Sequence, residues 1–351
     1  MGTAAPNAPR LAFVDAPGDV SIRPGEFRDP GAGEIAVRAM LSGISVGTEL
    51  AVFRGTIGTL KNPQWGYWSK YPIRPGYELV GIVTDCGPGV TDLSVGDRVV
   101  CHAPHGTHAM VSYQDYVRVP SGLSDEAASL AMLGATTAHG IRRAGIVYGD
   151  RVLVLGYGVV GLLSAEHARR SGAQTVFVAD PLPWKRRLAA ARGFPSADPR
   201  SEDLEGQLMN LTGGAGIDVV IEASGNREAF PMALRSVRPG GRILLQGTLT
   251  ESVCVNFSDY PMHKQVTILS TWGKGPRSDA SPSPGRPLQQ PVDGGNWSQK
   301  QNQELAIDLI ARGELRVSDL PTLHFPFDEI GSVYASLTTR DSDYLHVVLD
   351  Y

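Results

Sequence analysis

The segment Val152-Leu-Val-Leu-Gly156-Tyr157-Gly158-Val159-Val160-Gly161 places three glycines at the spacing GxGxxG after an apolar run and before a helical stretch, Leu162 to Arg170. Gly156 permits a tight turn, Gly158 lets backbone approach a pyrophosphate, and Gly161 allows a helix to pack closely on a strand. Tyr157, Val159 and Val160 complete the turn, where the helix N-terminus supplies N–H donors and a favourable dipole. Asp180 follows at the end of the next apolar run. Its carboxylate is suited to the adenosine ribose hydroxyls and repels a 2′-phosphate. The chemistry expected is dinucleotide binding with NAD as the cofactor. NADP is the less favoured alternative, because Lys185, with Arg186 and Arg187, is close enough in sequence to neutralise a phosphate.

The elements that must hold this turn are apolar runs of five or six residues alternating with helical stretches over 124–273. We read strands at Arg151–Leu155, Thr175–Ala179, Asp218–Ala223, Arg242–Gln246 and Val266–Ser270. That alternation predicts an α/β doubly wound parallel sheet of the Rossmann kind. Residues 1–123 differ, with short apolar strands between Gly/Pro turns, as in Glu34–Arg38, Leu79–Val83 and Asp97–Cys101. This is a β-rich first domain. A helix at Asn302–Arg312 and a strand at Tyr344–Leu349 cannot make a core alone, so 274–351 is assigned back to it. The Pro/Ser/Gly-rich stretch after residue 274, bracketed by Trp272 and Trp297, is too long for a plain connection and reads as a lid or a disordered segment.

Length and composition limit the function. A chain of 351 residues with 42% hydrophobic residues exceeds the usual single core and can fill two. A net charge of −4 without long like-charged runs argues against nucleic acid or an anionic membrane as partner, leaving a small molecule. The start of the chain lacks signal-peptide features, and no apolar run approaches the roughly 20 residues of a membrane span. Cys86, Cys101 and Cys254 are scattered and odd in number, which suits a reducing compartment. We therefore expect a cytoplasmic protein.

Beyond the glycine-rich turn, Pro75-Gly-Tyr-Glu-Leu-Val-Gly81, Val95-Gly-Asp-Arg-Val99, Gly134-Ala-Thr136, Gly216-Ile-Asp-Val-Val-Ile-Glu-Ala-Ser-Gly225 and Pro239-Gly-Gly-Arg-Ile-Leu-Leu-Gln-Gly247 extend over nearly the whole chain. Together they resemble the medium-chain dehydrogenase/reductase superfamily. The resemblance implies a GroES-like catalytic domain beside the Rossmann domain. It also implies Thr136 against the nicotinamide, Ala223 to Gly225 (with Ser224) and Gln246 to Thr248 (with Gly247) bordering the cofactor, and a homodimer joined at the edge of the Rossmann sheet, for which Val266–Ser270 is the candidate strand.

Relatives that use catalytic zinc carry a cysteine, a histidine and a Cys, Asp or Glu at places that here hold Ser45, Tyr77 and Ala131 or Met132. Zinc needs thiolate, imidazole or carboxylate ligands, so no zinc is expected. The four-cysteine structural lobe is also missing, since one cysteine stands between Val99 and Tyr116. The segment Ser42–Glu49 with Tyr77 looks like a zinc-less branch that contains bacteriochlorophyllide dehydrogenases and the dehydrogenase halves of two-domain oxidoreductases.

Hydride transfer between an alcohol carbon and nicotinamide needs a proton to move at the oxygen and a donor to stabilise the charge there. By the resemblance, Tyr77 stands in place of a ligand and Thr48 matches a proton-relay hydroxyl. A tyrosine is a ready donor at neutral pH and a poor base, which leans towards carbonyl reduction. Glu49 and Glu78 flank these positions as carboxylates able to orient a hydroxyl or act as base. His102, His105 and His108 read as solvated loop histidines, with a metal site on that loop as the alternative. The aromatic stretch Trp65-Gly-Tyr-Trp68-Ser-Lys-Tyr71 suggests stacking on a sugar, cyclitol or flat ring. The function expected is a zinc-independent dehydrogenase or reductase linking NAD(H) to a secondary alcohol or ketone. A quinone or enone reductase using NADPH and a non-catalytic nicotinamide-nucleotide sensor stay open as alternatives.

Overall fold

In chain order, a hairpin of β1 (Arg10–Ala16) and β2 (Asp19–Pro24) precedes the long strand β3 (Glu34–Gly43), helix α1 (Val46–Phe53), and strands β4 (Glu78–Cys86), β5 (Arg98–Cys101), β6 (His108–Ser112) and β7 (Tyr116–Arg118). Helices α2 (Asp125–Ser129) and α3 (Ala131–Ala144) lead into β8 (Arg151–Leu155), α4 (Val159–Arg170), β9 (Thr175–Ala179), α5 (Pro183–Ala191), β10 (Ser196–Ala197), α6 (Leu204–Leu211), β11 (Ile217–Glu222), α7 (Ala229–Ser236), β12 (Val237–Leu245), α8 (Pro261–Lys264) and β13 (Thr267–Ser270). The chain closes with α9 (Gln299–Ala311), β14 (Thr322–Pro326), α10 (Ile330–Leu337) and β15 (His346–Asp350). This computed structural model describes residues 8–61, 68–201, 203–258, 260–275, 297–338 and 343–351. The expected lid, but for its ends, and Trp65 and Tyr67 of the aromatic stretch lie outside the described residues.

Two compact units form, with the division between Ala135 and Thr136 inside α3. In the first unit β3 does most of the positioning, because its length lets it pair with three strands. Its whole length pairs antiparallel with β4, Glu34–Arg38 pairs with β6, and Leu41–Gly43 pairs with the C-terminal β15. The tail thus returns to the first unit and carries His346 and Tyr351 into that sheet. α2 and the start of α3 also belong to this unit, so Ser124–Ala135, assigned to the nucleotide-binding half on sequence, sits with the β-rich half instead. Ser129 of α2 shows why, since its hydroxyl is 2.9 Å from His346 Nε2 in the interior of this unit.

A core of Leu50, Val52 and Phe53 from α1 against Ile330, Val333 and Tyr334 from α10 fixes α1 on this sheet. Burying each such apolar side chain stabilises by about 1.5–3 kcal/mol.

The second unit is a six-stranded sheet, order β10-β9-β8-β11-β12-β13, parallel throughout. This is the doubly wound order 3-2-1-4-5-6, whose strand order reverses beside the first strand, here β8. Its inner strands β8, β9 and β11 are buried on both faces and read as apolar runs, which is why β8 and β9 match their expected bounds. β13 stands at the sheet edge, and β10, only two residues long, had no sequence signal.

Candidate active site

The nucleotide-binding turn lies at the C-terminal end of β8. Gly156 has φ +88°, and a Cβ there would lie 2.7 Å from the Ser224 side chain, so only glycine fits both the backbone and the space. A Cβ at Gly161 would stand 1.9 Å from the Gly156 carbonyl oxygen. A Cβ at Gly158 would meet nothing within 4 Å. The Gly158 position, at the N-cap of α4, is thus an open cradle beside the first-turn N–H groups of Val159, Val160 and Gly161, which have no intrahelical partner. A nicotinamide dinucleotide's pyrophosphate fits that donor set.

Asp180 is 4% exposed, and its two carboxylate oxygens accept from the Tyr157 N–H at 2.7 Å and the Leu182 N–H at 2.9 Å. It therefore braces the glycine turn while keeping acceptor capacity for a ribose, because a carboxylate has about four lone-pair sites. The Tyr157 side chain is wholly buried with its ring edge-on to Phe194, so its backbone serves the turn. Lys185 places its ammonium 5.5 Å over the Trp184 ring. The cations gathered beside Asp180 are instead Arg186, which donates to the Asp180 and Pro181 carbonyls, and Arg200, which donates to the Pro181 carbonyl and to Asp198.

Sequence reasoning missed Glu222. It ends β11 fully buried, and its Oε1 accepts from the Ser224 N–H, the Ser224 hydroxyl and the Gly225 N–H at 2.6–2.9 Å. Its backbone carbonyl accepts from the Gly247 N–H at 2.7 Å. Glu222 thus ties the two turns expected to border the cofactor, at the ends of β11 and β12, to one another. Burial raises its pKa. Thr136 is linked into the same edge through Gln246, whose amide donates to the Thr136 carbonyl at 3.2 Å and accepts from the Ser164 hydroxyl of α4 at 3.2 Å.

In the first unit, Tyr77 is set by Gly76, whose φ of +96° and close approach to the His105 backbone (2.7 Å from a Cβ) admit no side chain. The Tyr77 ring stacks on His102 at 5.8 Å and faces Trp68 at 6.0 Å. Burial first, then the carboxylates of Glu78 and Glu49, raise its pKa well above 10, so at neutral pH it is a phenol. The side chains of Ser45 and Thr48, at the start of α1, lower its pKa, a smaller effect than those that raise it.

Glu49 is fully buried and its oxygens are committed. Oε1 accepts from the Ser45 N–H at 2.8 Å, and Oε2 accepts from the Tyr334 hydroxyl and faces His105 Nε2 at 2.8 Å. It holds α1 and Ser45 in place and is a positioning residue. From His105 the chain of hydrogen bonds runs on through Ser42 at 2.7 Å to the Tyr351 hydroxyl at 2.8 Å. Glu78 is buried against Gly43 of β3, where a Cβ would lie 2.6 Å from its carboxylate.

The histidines correct the sequence reading. His105 is fully buried with its Nε2 2.8 Å from Glu49, His102 is half-buried against Tyr77, and His108 lies on β6 with its ring edge-on to Phe27 at 5.3 Å. None is a solvated loop side chain, because the 102–106 segment is drawn in by the bond from the His105 N–H to the Pro75 carbonyl.

A catalytic zinc does not fit the donors present. At the corresponding places stand the Ser45 hydroxyl, the protonated Tyr77 phenol and the buried apolar Ala131 and Met132, the last with its sulfur accepting from Gln303 at 3.6 Å. Among the described residues no group of three or more His, Cys, Asp or Glu side chains is gathered for a metal.

Comparison with known proteins agrees with this architecture. Residues 31–129 match the alcohol dehydrogenase GroES-like domain, and residues 159–282 match the zinc-binding dehydrogenase domain. L-Threonine 3-dehydrogenase of Pyrococcus furiosus is 29% identical over 280 residues, covering 70% of this chain and 77% of that protein. L-Galactonate-5-dehydrogenase of Escherichia coli K12 is 32% identical over 230 residues, covering 57% of this chain and 67% of that protein. A Sinorhizobium meliloti protein solved with NADP bound superposes with TM-score 0.79 at 22% identity, over 98% of this chain and all of that one. With its Rossmann glycine turn and GroES-like domain in place, the chain belongs to the medium-chain dehydrogenase/reductase superfamily and is an NAD(P)-dependent oxidoreductase of the alcohol dehydrogenase kind.

Proposed function

We propose that the protein interconverts a secondary alcohol and a ketone with NAD(H), without zinc, and works best as a carbonyl reductase. The observation that carries this reading is Tyr77, stacked on His102 and facing Trp68, with its hydroxyl kept protonated by burial and by Glu78 and Glu49. A donor of this kind stabilises the negative charge that grows on a carbonyl oxygen as it is reduced.

A nicotinamide held by the glycine turn and Asp180 would supply the hydride. Tyr77 donates a hydrogen bond to the ketone oxygen and then its proton, and the Ser45 and Thr48 hydroxyls stabilise the phenolate until it is reprotonated. Glu49 fixes Ser45 through its backbone N–H. Gly158 and the α4 N-terminus receive the pyrophosphate, and Asp180 receives the ribose. The buried Asp180 carboxylate favours NAD, while Arg186 and Arg200 beside it leave NADP as the second cofactor to test.

A hydroxylated, sugar- or cyclitol-like substrate is supported by the similarity to L-galactonate-5-dehydrogenase. No helix among the described residues is long and apolar enough to cross a membrane. We place the protein in the cytoplasm as a homodimer, an assembly supported by the edge position of the half-exposed β13. The test is NADH oxidation with a panel of ketoses and cyclitol ketones by wild type and Tyr77→Phe. Turnover that requires Tyr77 supports the reading. Turnover indifferent to Tyr77→Phe overturns its mechanism, and NADH binding with no turnover of any carbonyl favours a nucleotide-binding sensor.

A further inference from the structure

One cavity, of about 360 Å³ and open to solvent, is lined, among the described residues, by residues of the first unit, including Trp68, Lys70, Arg74, Gly76 and His102. Two of these are cations, and among the described residues no Asp or Glu lines it. Arg74 is the unusual one. Its Nε is buried with no hydrogen-bond partner among the described residues, and burial lowers its pKa. A guanidinium stays charged across the physiological range all the same. Arg74 as a whole is half-buried, and partly desolvating a cation without an opposing charge has a cost that an oxyanion from a ligand offsets through charge-assisted, often bidentate, hydrogen bonds.

The position of Arg74 is built rather than incidental. Trp68 has φ +50°, a left-handed conformation that bulky residues rarely adopt. It is held by the Thr59 hydroxyl donating to its carbonyl at 2.8 Å and by its own indole N–H donating to the Arg74 carbonyl at 3.1 Å. The bond that orients the indole thus also fixes the backbone from which the guanidinium extends. The same cavity walls, Trp68 and His102, are the two rings packed on Tyr77.

We propose that this cavity is a subsite for an oxyanion, a carboxylate or phosphate monoester, carried by the hydroxylated substrate whose carbonyl Tyr77 serves. Arg74 binds the oxyanion and Lys70, exposed at the cavity, adds to the field. That the ligand is the substrate rests on the function proposed above; the oxyanion site itself does not.

The test separates the two. The full-length protein is saturated with NADH, so that the α4 N-terminus is occupied, and inorganic phosphate and acetate are titrated by calorimetry into wild type, Arg74→Gln and Lys70→Gln. We expect one oxyanion per chain, weakened roughly 10- to 100-fold by Arg74→Gln and several-fold by Lys70→Gln, with NADH affinity unchanged. The tighter of the two probes identifies the group. Lys70→Gln carries the test alone if Arg74→Gln does not fold, as judged by lost NADH binding.

No oxyanion binding by wild type, or binding insensitive to the variants, overturns the subsite, and this holds even if neutral ketones are reduced by an enzyme that needs Tyr77. Arg74-dependent oxyanion binding in a protein that reduces no ketone leaves the subsite standing and removes the redox reading. In the active enzyme, the expected signature is a KM for the acidic ketone that rises in Arg74→Gln while the KM for its neutral counterpart does not.

Discussion

His105 Nε2 stands 2.8 Å from Glu49 Oε2 with neither side chain exposed, and Glu49 in turn grips the Ser45 N–H at the start of the helix that carries Thr48. The pair makes α1 and the strand-end segment at 105 one rigid block behind Tyr77. Removing one member of a buried, hydrogen-bonded pair strands the other, at a cost of roughly 3–5 kcal/mol. His105→Ala should therefore lower unfolding stability by about that amount in urea titration. A loss under ~1 kcal/mol would mean that the pair is dispensable.

Replacing Tyr77 with Phe keeps the ring between Trp68 and His102 and removes only the hydroxyl. We expect kcat for ketone reduction to fall by roughly 10²- to 10⁴-fold with NADH affinity unchanged. Because the Tyr77 pKa lies well above 10, wild-type reduction should show no deprotonation of this donor between about pH 6 and 9. A loss of rate with a midpoint inside that range would assign the donor to another group.

Two alanine substitutions in the glycine turn should part company. Gly158→Ala meets no neighbour within 4 Å and has an ordinary φ of −75°, so the fold should hold while the methyl fills the pyrophosphate cradle. NADH binding, followed by nicotinamide fluorescence, should weaken roughly tenfold or more. Gly161→Ala drives a methyl to 1.9 Å from the Gly156 carbonyl and should destabilise the fold itself, by roughly 1–3 kcal/mol or more. Equal effects of the two on thermal stability would contradict the assignment of Gly158 to the cofactor.

His346 gives the protein an acid limit. It is buried, its Nε2 is 2.9 Å from the Ser129 hydroxyl, and burial, aided by the charge of His324, pushes its pKa down to about 3 from 6.5. Between those values the unfolded chain binds a proton that the folded chain does not, so stability falls as pH drops below 6.5. At pH 4.5 this one group should cost about 2–3 kcal/mol relative to neutral pH. Comparing wild type and His346→Gln across pH 4–8, the variant should show a shallower decline. Parallel curves would mean that His346 is not held neutral.

The Rossmann half was legible because strands buried on both faces announce themselves as apolar runs, and the glycines report backbone demands that no other residue meets. What escaped depends on partners distant in sequence. His105 sits in a polar stretch with no period, and its burial comes from Glu49, 56 positions earlier. Glu222 looks like an ordinary strand-end carboxylate until the turns at Ser224 and Gly247 close on it. Arg74 lies just beyond an aromatic run that drew attention to stacking instead of charge. Tyr157 offers its N–H to Asp180 while its ring points into the core, a division of roles that the motif alone does not reveal.

The most direct test of a zinc-free, tyrosine-based reductase is elemental analysis of the purified protein joined to NADH-dependent ketone reduction before and after dialysis against a strong chelator. Our account predicts substoichiometric zinc and undiminished reduction, abolished only by Tyr77→Phe. Stoichiometric zinc, with activity lost on chelation and restored by adding the metal, would contradict it.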